Sequence, residues 1–291
     1  MTDLIVKDNS LINASYTLSL VEQRLILLAI VAARESNLNL QSKHKLLVTA
    51  DSYAKQFGVV RQAAYLALKE ACENLFERRF SFEERNGKIK QVKSRWVSRI
   101  AYIEEHAEVE IVFADDVIPL ITELESRFTQ YELKQISGLS SAYAIRLYEL
   151  LIAWRSTGKT PEILNKDLRE KLGVLPDVYQ RIEAFKRRVL DAALEQINEH
   201  TDITVKYDQH KAGRVITGFS FTFGFKKSAK PKSTRAQAVE PPPTSDPAAE
   251  KREAYGLFLS YQRQSKALNQ ALETLATNSE MKLFKKLGFM K

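Results

Sequence analysis

The side chains best suited to chemistry in this sequence are basic and amide groups on two amphipathic helical stretches. In the second stretch, Val178, Ile182, Phe185, Val189, Ala193 and Ile197 recur at helical spacing and form an apolar stripe. At about 100° per residue, Gln180, Ala184 and Arg187 then point the other way, flanked by Arg181, Lys186 and Arg188. Arginine and glutamine can each make paired hydrogen bonds to a base edge, and lysine reaches phosphate. A small residue such as Ala184 between them lets the backbone approach closely. In the first stretch, Ala64, Leu68, Ala71, Cys72 and Leu75 make the stripe, which leaves Arg61, Gln62, Tyr65 and Lys69 outside. Tyr65 is open between two roles, packing on a neighbour or touching nucleic acid.

Catalytic constellations are missing. His44, His106, His200 and His210 are isolated, so no His-x-His metal pair exists, and His106-Ala-Glu108 has no downstream cysteine pair to complete a deaminase zinc site. No Gly-rich phosphate loop ending in Gly-Lys-Ser/Thr occurs. Cys72 is the single cysteine, which rules out a disulfide within the chain and fits a small buried hydrophobe. The expectation is a binding protein, not an enzyme, with no cofactor and no metal.

The elements that must position these residues come twice. Residues 47 to 75 read LVTADSYAKQFGVVRQAAYLALKEACENL, and residues 163 to 197 read ILNKDLREKLGVLPDVYQRIEAFKRRVLDAALEQI. Each copy runs apolar segment, polar cap, short helix, Gly-Val turn (Gly58-Val59, Gly173-Val174) and longer amphipathic helix. That order is a helix-turn-helix. An apolar helix precedes each copy (Leu18 to Arg34, Ala142 to Arg155), and a β-rich segment with a Gly-containing turn follows. A helix-turn-helix with a trailing hairpin is a winged helix. The fold class expected is therefore α+β: two tandem winged-helix domains over 1–130 and 131–227, a disordered linker over 228–249 and a partly helical tail over 250–291. Local signals agree: Asn165 as an N-cap, Gly173 ending a short helix, Pro176 entering the next, and Ser140 or Ser141 capping a helix with Tyr143, Leu147, Leu150, Leu151 and Trp154 on its apolar side. Residues 126–140 contain no proline and one glycine, so the two domains are expected to pack together.

Charge is distributed unevenly. The net charge is +8, and residues 228–291 carry eleven basic against six acidic side chains. Arg85, Lys88, Lys90, Lys93, Arg95 and Arg99 occur without an intervening acid on what reads as the first wing, and Lys88, Lys93 and Arg95 are its candidate phosphate contacts. Residues 104–125 hold eight acidic and no basic residues and should face away from nucleic acid. The second wing, Ile203 to Phe225, carries Lys206, Lys211 and Arg214 near its turn, while Phe219, Phe221, Phe223 and Phe225 alternate as a half-buried strand does. In the first apolar helix Leu20, Leu27, Leu28 and Val31 exceed one inner face, which points to a second packing partner, either the other domain or another subunit. The longest apolar run, Leu25 to Ala33, is too short to span a membrane and no secretory signal is visible, so a cytoplasmic protein without a membrane partner is expected. The segment 228–249 holds five of the eight prolines and reads as a linker, and the basic amphipathic run Met281 to Met290 suits docking on a partner protein.

The runs LSLVEQRLILLAI (18–30), LVTADSYAKQFGV, YELKQISGLSSAYAIRLYELLIAW (131–154), YQRIEAFKRRVLDAALEQINEHTDITVKY (179–207) and KAGRVITGFSF together resemble the initiator replication proteins of iteron-containing, theta-replicating bacterial plasmids. The resemblance spans residues 1–225 and not the tail. It implies a two-winged-helix protein that binds origin iterons as double-stranded DNA, opens an adjacent AT-rich region and recruits host initiator and helicase proteins. It also implies dimers that repress the protein's own promoter through an operator, and monomers that occupy iterons. Phe185-Lys186-Arg187-Arg188 matches the aromatic-then-basic pattern of the family's second recognition helix, whereas Gln180 departs from the basic residue sometimes found there. Two other readings share these features in part: a tandem winged-helix transcriptional regulator without an initiator role, and a nicking enzyme acting through tyrosine. An initiator gene should lie beside direct repeats and an AT-rich tract.

Overall fold

The structure, a computed structural model, describes residues 3–35, 44–83, 91–122 and 128–226. The linker and tail expected over 228–291, and Lys88 in the basic run, lie outside these residues. The chain opens with β1 (Leu4–Asp8), α1 (Asn9–Ile12) and β2 (Ser15–Tyr16), then enters the long helix α2 (Leu20–Glu35). A reciprocal cap starts α2: the Ser19 N–H donates to Glu22 Oε2 at 2.6 Å, and the Glu22 N–H donates to Ser19 Oγ at 3.2 Å. Glu22 also receives Arg78 Nε at 2.9 Å. Leu25, Ile26, Leu27, Ala29 and Ile30 of α2 are buried, and Leu20 and Leu28 pack against the same core. The apolar surplus of this helix is thus covered from within the chain, by β1, β3 (Leu46–Thr49), α3 (Ala50–Phe57) and α4 (Arg61–Leu75).

The first helix-turn-helix is α3 and α4. Thr49 Oγ1 accepts from the Ser52 N–H at 2.9 Å at its start, and Gly58 at φ 62° ends α3 in the left-handed region open to glycine. After α4 come β4 (Arg79–Phe82), β5 (Val92–Arg95), β6 (Val97–Ile103) and β7 (Glu108–Phe113). Here the structure corrects the expected first wing. β4 pairs with β2 and β5 with β4, whereas the hairpin joined to β3 is β6–β7, in the order β3-β7-β6. The cause is Trp96: fully buried against Tyr16 and Phe80, it carries the strand from one sheet into the other, so the described part of the basic run divides between two sheets, Lys93 and Arg95 on β5 and Arg99 on β6. The wing turn is instead the acidic 3-10 turn Glu104–His106.

The helix α5 (Ile118–Thr122), β8 (Phe128–Glu132) and α6 (Lys134–Ser137) lead to α7 (Ala142–Ile152). Because α7 stops at Ile152, Trp154 falls in the following turn and is 41% exposed, not on the apolar face expected. The second winged helix repeats the first: β9 (Ile163–Leu164), α8 (Asn165–Leu172), a recognition helix, then the hairpin β10 (Ile203–Ala212) and β11 (Val215–Phe225), in the order β9-β11-β10. Leu164 occupies the N-cap of α8; Asn165 is already helical and its Oδ1 accepts from Arg169 Nε at 3.2 Å. Phe219, Phe221 and Phe223 are buried as the alternation requires, while Phe225 is 48% exposed beneath the Arg155 guanidinium.

Three contacts fuse the halves. β1 pairs with β8 over five residue pairs. Beside that ribbon Lys7, Arg146 and Glu149 are buried together: Lys7 Nζ lies 2.6 Å and Arg146 Nη1 2.8 Å from the Glu149 carboxylate, and the Tyr131 hydroxyl donates to it at 2.6 Å. Arg146 also donates to the carbonyls of Ile12, Ala14 and Lys171 and lies over the Tyr16 ring. Burial alone would raise Glu149, yet the adjacent charges of Lys7 and Arg146 hold it below the usual carboxylate range. Finally, α8 sits on β2: Ser15 Oγ donates to the Glu170 carbonyl at 3.1 Å and Thr17 Oγ1 to the Gly173 carbonyl at 3.3 Å. A Cβ on Gly173, at φ 74°, would collide with the Tyr16 carbonyl oxygen.

Replacing Glu149 by Gln leaves two buried cations without their anion and is expected to cost about 3–5 kcal/mol in urea unfolding. The depressed carboxyl contributes stability above its unfolded pKa and loses it as pH falls through the folded one. The wild-type chain should therefore lose stability in acid more steeply than Glu149→Gln.

Candidate nucleic-acid interface

In the first winged helix the apolar stripe of α4 is as expected, with Ala64, Leu68, Ala71, Cys72 and Leu75 buried. Burial pushes the Cys72 thiol up to about 11, which keeps it an unreactive core group. The outward residues are less free than their types suggest. Arg61 Nε lies 2.6 Å from Asp51, and Lys69 Nζ 2.5 Å from Glu104 of the wing turn. Tyr65 packs edge-on against Tyr102 with ring centroids 5.5 Å apart. The acidic segment therefore does not face away from the recognition helix as a block, because Glu104 closes over its flank. Gln62 is exposed, as are the apolar Leu66 and Val60. On β5, Lys93 is exposed, while Arg95 is held by the Phe76 carbonyl at 2.7 Å and by Glu77 at 3.2 Å.

The second winged helix differs in charge. Its recognition helix begins at Ile182, later than the sequence suggests: residues 175–181 form turns and Tyr179 stands at φ 50°, a backbone region costly for an aromatic residue. Pro176 therefore enters a loop and Gln180 precedes the helix, so the outward line Gln180, Ala184, Arg187 does not exist as a helical face. The helix runs as α9 (Ile182–Phe185), a π-turn (Lys186–Asp191) and α10 (Ala192–His200). Phe185, Val189, Leu190, Ala193, Leu194 and Ile197 are its buried residues. Arg181, Arg187 and Arg188 are exposed over the first turns and Asp191, Glu195 and Glu199 over the last. This polarity suits entry of the N-terminal half into a groove lined by phosphates.

Two elements hold the helix from its sides. The Arg169 guanidinium of α8 lies 4.1 Å from the centre of the Phe185 ring. On the wing side, Lys186 Nζ donates to Gln209 Oε1 at 3.1 Å and the Tyr207 hydroxyl to Asp191 Oδ1 at 2.9 Å. The wing turns at Gly213, φ 61°, after an irregularity between His210 and Lys211. Lys206, Lys211 and Arg214 are exposed on it. Among the described residues, Arg181, Arg187, Arg188, Lys206, Lys211 and Arg214 form no ion pair, in contrast to Arg61, Lys69 and Arg95 of the first half. The braces Arg169, Tyr207 and Gln209 are absent from the sequence-derived set. Strand alternation locates Tyr207 and Gln209 but carries no signal of the helix residues they reach.

No group of three or more His, Cys, Asp or Glu suited to a metal ion occurs among the described residues, and no described helix is long and apolar enough to cross a membrane. Residues 4–152 match the family model described as Initiator Replication protein, WH1, and residues 166–223 match Initiator Rep protein, WH2. A curated Escherichia coli relative named "Uncharacterized 27.6 kDa protein" is 28% identical over 224 residues, 73% of this chain and 92% of its own length. A "Replication initiation protein" of Escherichia coli is 25% identical over 220 residues, 74% of this chain and 67% of its own. Among solved structures, the Pi initiator protein in complex with iteron DNA aligns with a TM-score of 0.63 at 22% identity, over 78% of this chain and 98% of that one.

Arg187→Ala is expected to relax discrimination between duplex sequences by about 1–3 kcal/mol, whereas Lys211→Ala should weaken all duplexes alike. Competition binding with a panel of single-base variants measures both, with circular dichroism to check folding. Equal weakening of every duplex by Arg187→Ala would make Arg187 a phosphate contact.

Proposed function

We propose, from the premise that this chain belongs to the initiator replication protein family, that it is a plasmid replication initiator that binds iteron repeats of its origin as sequence-specific duplex DNA. The observation that carries the reading is the set of unpaired cations on the second recognition helix and its wing, arranged around a helix-turn-helix. The iteron duplex bound by the similarly folded Pi protein supports the choice of ligand. In this reading Gln180, Arg181, Arg187 and Arg188 face the bases and nearby phosphates, and Lys206, Lys211 and Arg214 hold backbone. The first winged helix adds Gln62 and Lys93, with Arg61, Lys69 and Arg95 reaching phosphate only by exchanging their surface carboxylates for it. Such exposed pairs are weak, so phosphate can displace them.

The initiator then opens a neighbouring AT-rich region and recruits host initiator and helicase proteins in the cytoplasm. As a dimer it represses its own promoter, and as a monomer it occupies iterons. Domain boundaries at 1–130 and 131–227 remain our division, with the two halves acting as one body through β1–β8 and the Glu149 cluster. The dimer contact lies elsewhere than the inner face of α2, because that face is already covered.

Footprinting on the plasmid that carries the gene tests the function, with protection expected over direct repeats beside an AT-rich tract. Protection confined to a promoter would favour a transcriptional regulator. On the protected duplex, neutralising about 6–10 phosphates predicts a log affinity against log salt slope of roughly −5 to −9, and a slope near zero would remove the basis for duplex binding. Analytical ultracentrifugation should show dimers converting to monomers on dilution and on addition of one iteron duplex.

A further inference from the structure

The π-turn is the least ordinary backbone feature of the interface, since such turns are rare and occur mostly as single widened turns inside α-helices. Its geometry is tied to the two wing contacts. Tyr207 and Gln209 are two apart on β10, so their side chains leave the strand on the same face about 7 Å from one another. Their partners, Asp191 and Lys186, are five apart on the helix. In an α-helix, positions i and i+5 lie about 140° apart around the axis and could not both meet one strand face. In a π-turn, which closes i to i+5 hydrogen bonds, each residue turns through a smaller angle, so both residues come to the same side of the helix. The widened turn therefore places one residue more than an α-turn does between two points fixed to the wing. On the outer arc between those points stand Arg187 and Arg188, adjacent and both exposed, while Val189 and Leu190 behind them are both buried.

We propose that this braced bulge is a specificity-determining device: Lys186, Asp191, Tyr207 and Gln209 are positioning residues that clamp recognition helix and wing into one rigid surface, and the extra residue between the clamps turns two arginines toward the duplex together. Lys186 then serves as a brace to Gln209 and not as a phosphate contact. Burial, with Asp191 as acceptor, pushes the Tyr207 hydroxyl up to about 12, so it remains a donor through the physiological range. The inference rests on the reading that the second winged helix binds duplex sequence-specifically.

The probe is the duplex that the full wild-type chain selects from a random-sequence pool, measured against a shuffled duplex of equal composition. In the double variant Tyr207→Phe/Gln209→Ala, which keeps every cation, the ratio of selected to shuffled affinity should fall roughly tenfold, the size of one lost base contact, with the salt slope unchanged. Deleting Arg188 closes the bulge while keeping the clamps in phase, and should lower that ratio further than Arg188→Ala, although both remove one charge. A ratio unmoved in the double variant, even with a lower melting temperature, overturns the brace; equal ratios for the deletion and Arg188→Ala overturn the bulge. If the wild-type chain selects no sequence, the failure belongs to the proposed function instead.

Discussion

Glu149 is the anion on which the arrangement of this chain depends. Its two oxygens receive Lys7 from β1, Arg146 one helical turn away on α7, and Tyr131 from β8. A buried ion pair is weak testimony to stability, because removing charges from water costs several kcal/mol before attraction returns any of it. What this cluster supplies is geometric definition. Arg146 has further donors, and each goes to a different piece of backbone: Ile12 and Ala14 ahead of β2, and Lys171 at the end of α8. One guanidinium thereby fixes the distance between the segment that leads into β2 and the short helix that precedes the second recognition helix. Apolar side chains of equal volume could fill the space, but they would not specify those carbonyls.

Much of the fold was legible because the two copies share a chain order in which each step has a local cause. Gly58 and Gly173 both end their helices in the left-handed region, and both copies set the leading strand against the second strand of a hairpin. Alternation of Phe219, Phe221 and Phe223 located the second wing for the same reason, since period two along a strand is a property of the strand alone. The first wing was misplaced because charge does not encode which sheet a strand joins. That decision rests on Trp96 and on the pairing of β4 with β2, a contact between residues far apart in the sequence.

The site was less legible than the fold. Helical periodicity assumes a constant angle per residue and a continuous helix, and the second recognition helix breaks both assumptions: it starts after Gln180, and it widens at Lys186. Phe185, Val189, Ala193 and Ile197 of the expected stripe are nevertheless buried, since a spacing of four survives one wide turn, and Leu190 and Leu194 join them outside that stripe. Charge type was read correctly and charge availability was not. Arg61, Lys69 and Arg95 look equivalent to Arg181, Arg187 and Arg188 in sequence, but their carboxylate neighbours come from α3, the acidic turn and the turn after α4, which no spacing rule connects to them.

The close seat of Gly173 on the Tyr16 carbonyl bears on how the halves of such a chain can be exchanged. A winged helix attached by a flexible tether can be exchanged between proteins as a cassette. Here the turn of the second helix-turn-helix has no room for a side chain against a strand of the first half, and Ser15 and Thr17 of that segment hold α8 by its carbonyls. A transplanted second half would bring its turn but not the strand that shapes it. Recombination between the halves would break an interlocked surface, so the second winged helix can change by point substitution more readily than by exchange, with residues 13–17 inherited alongside it.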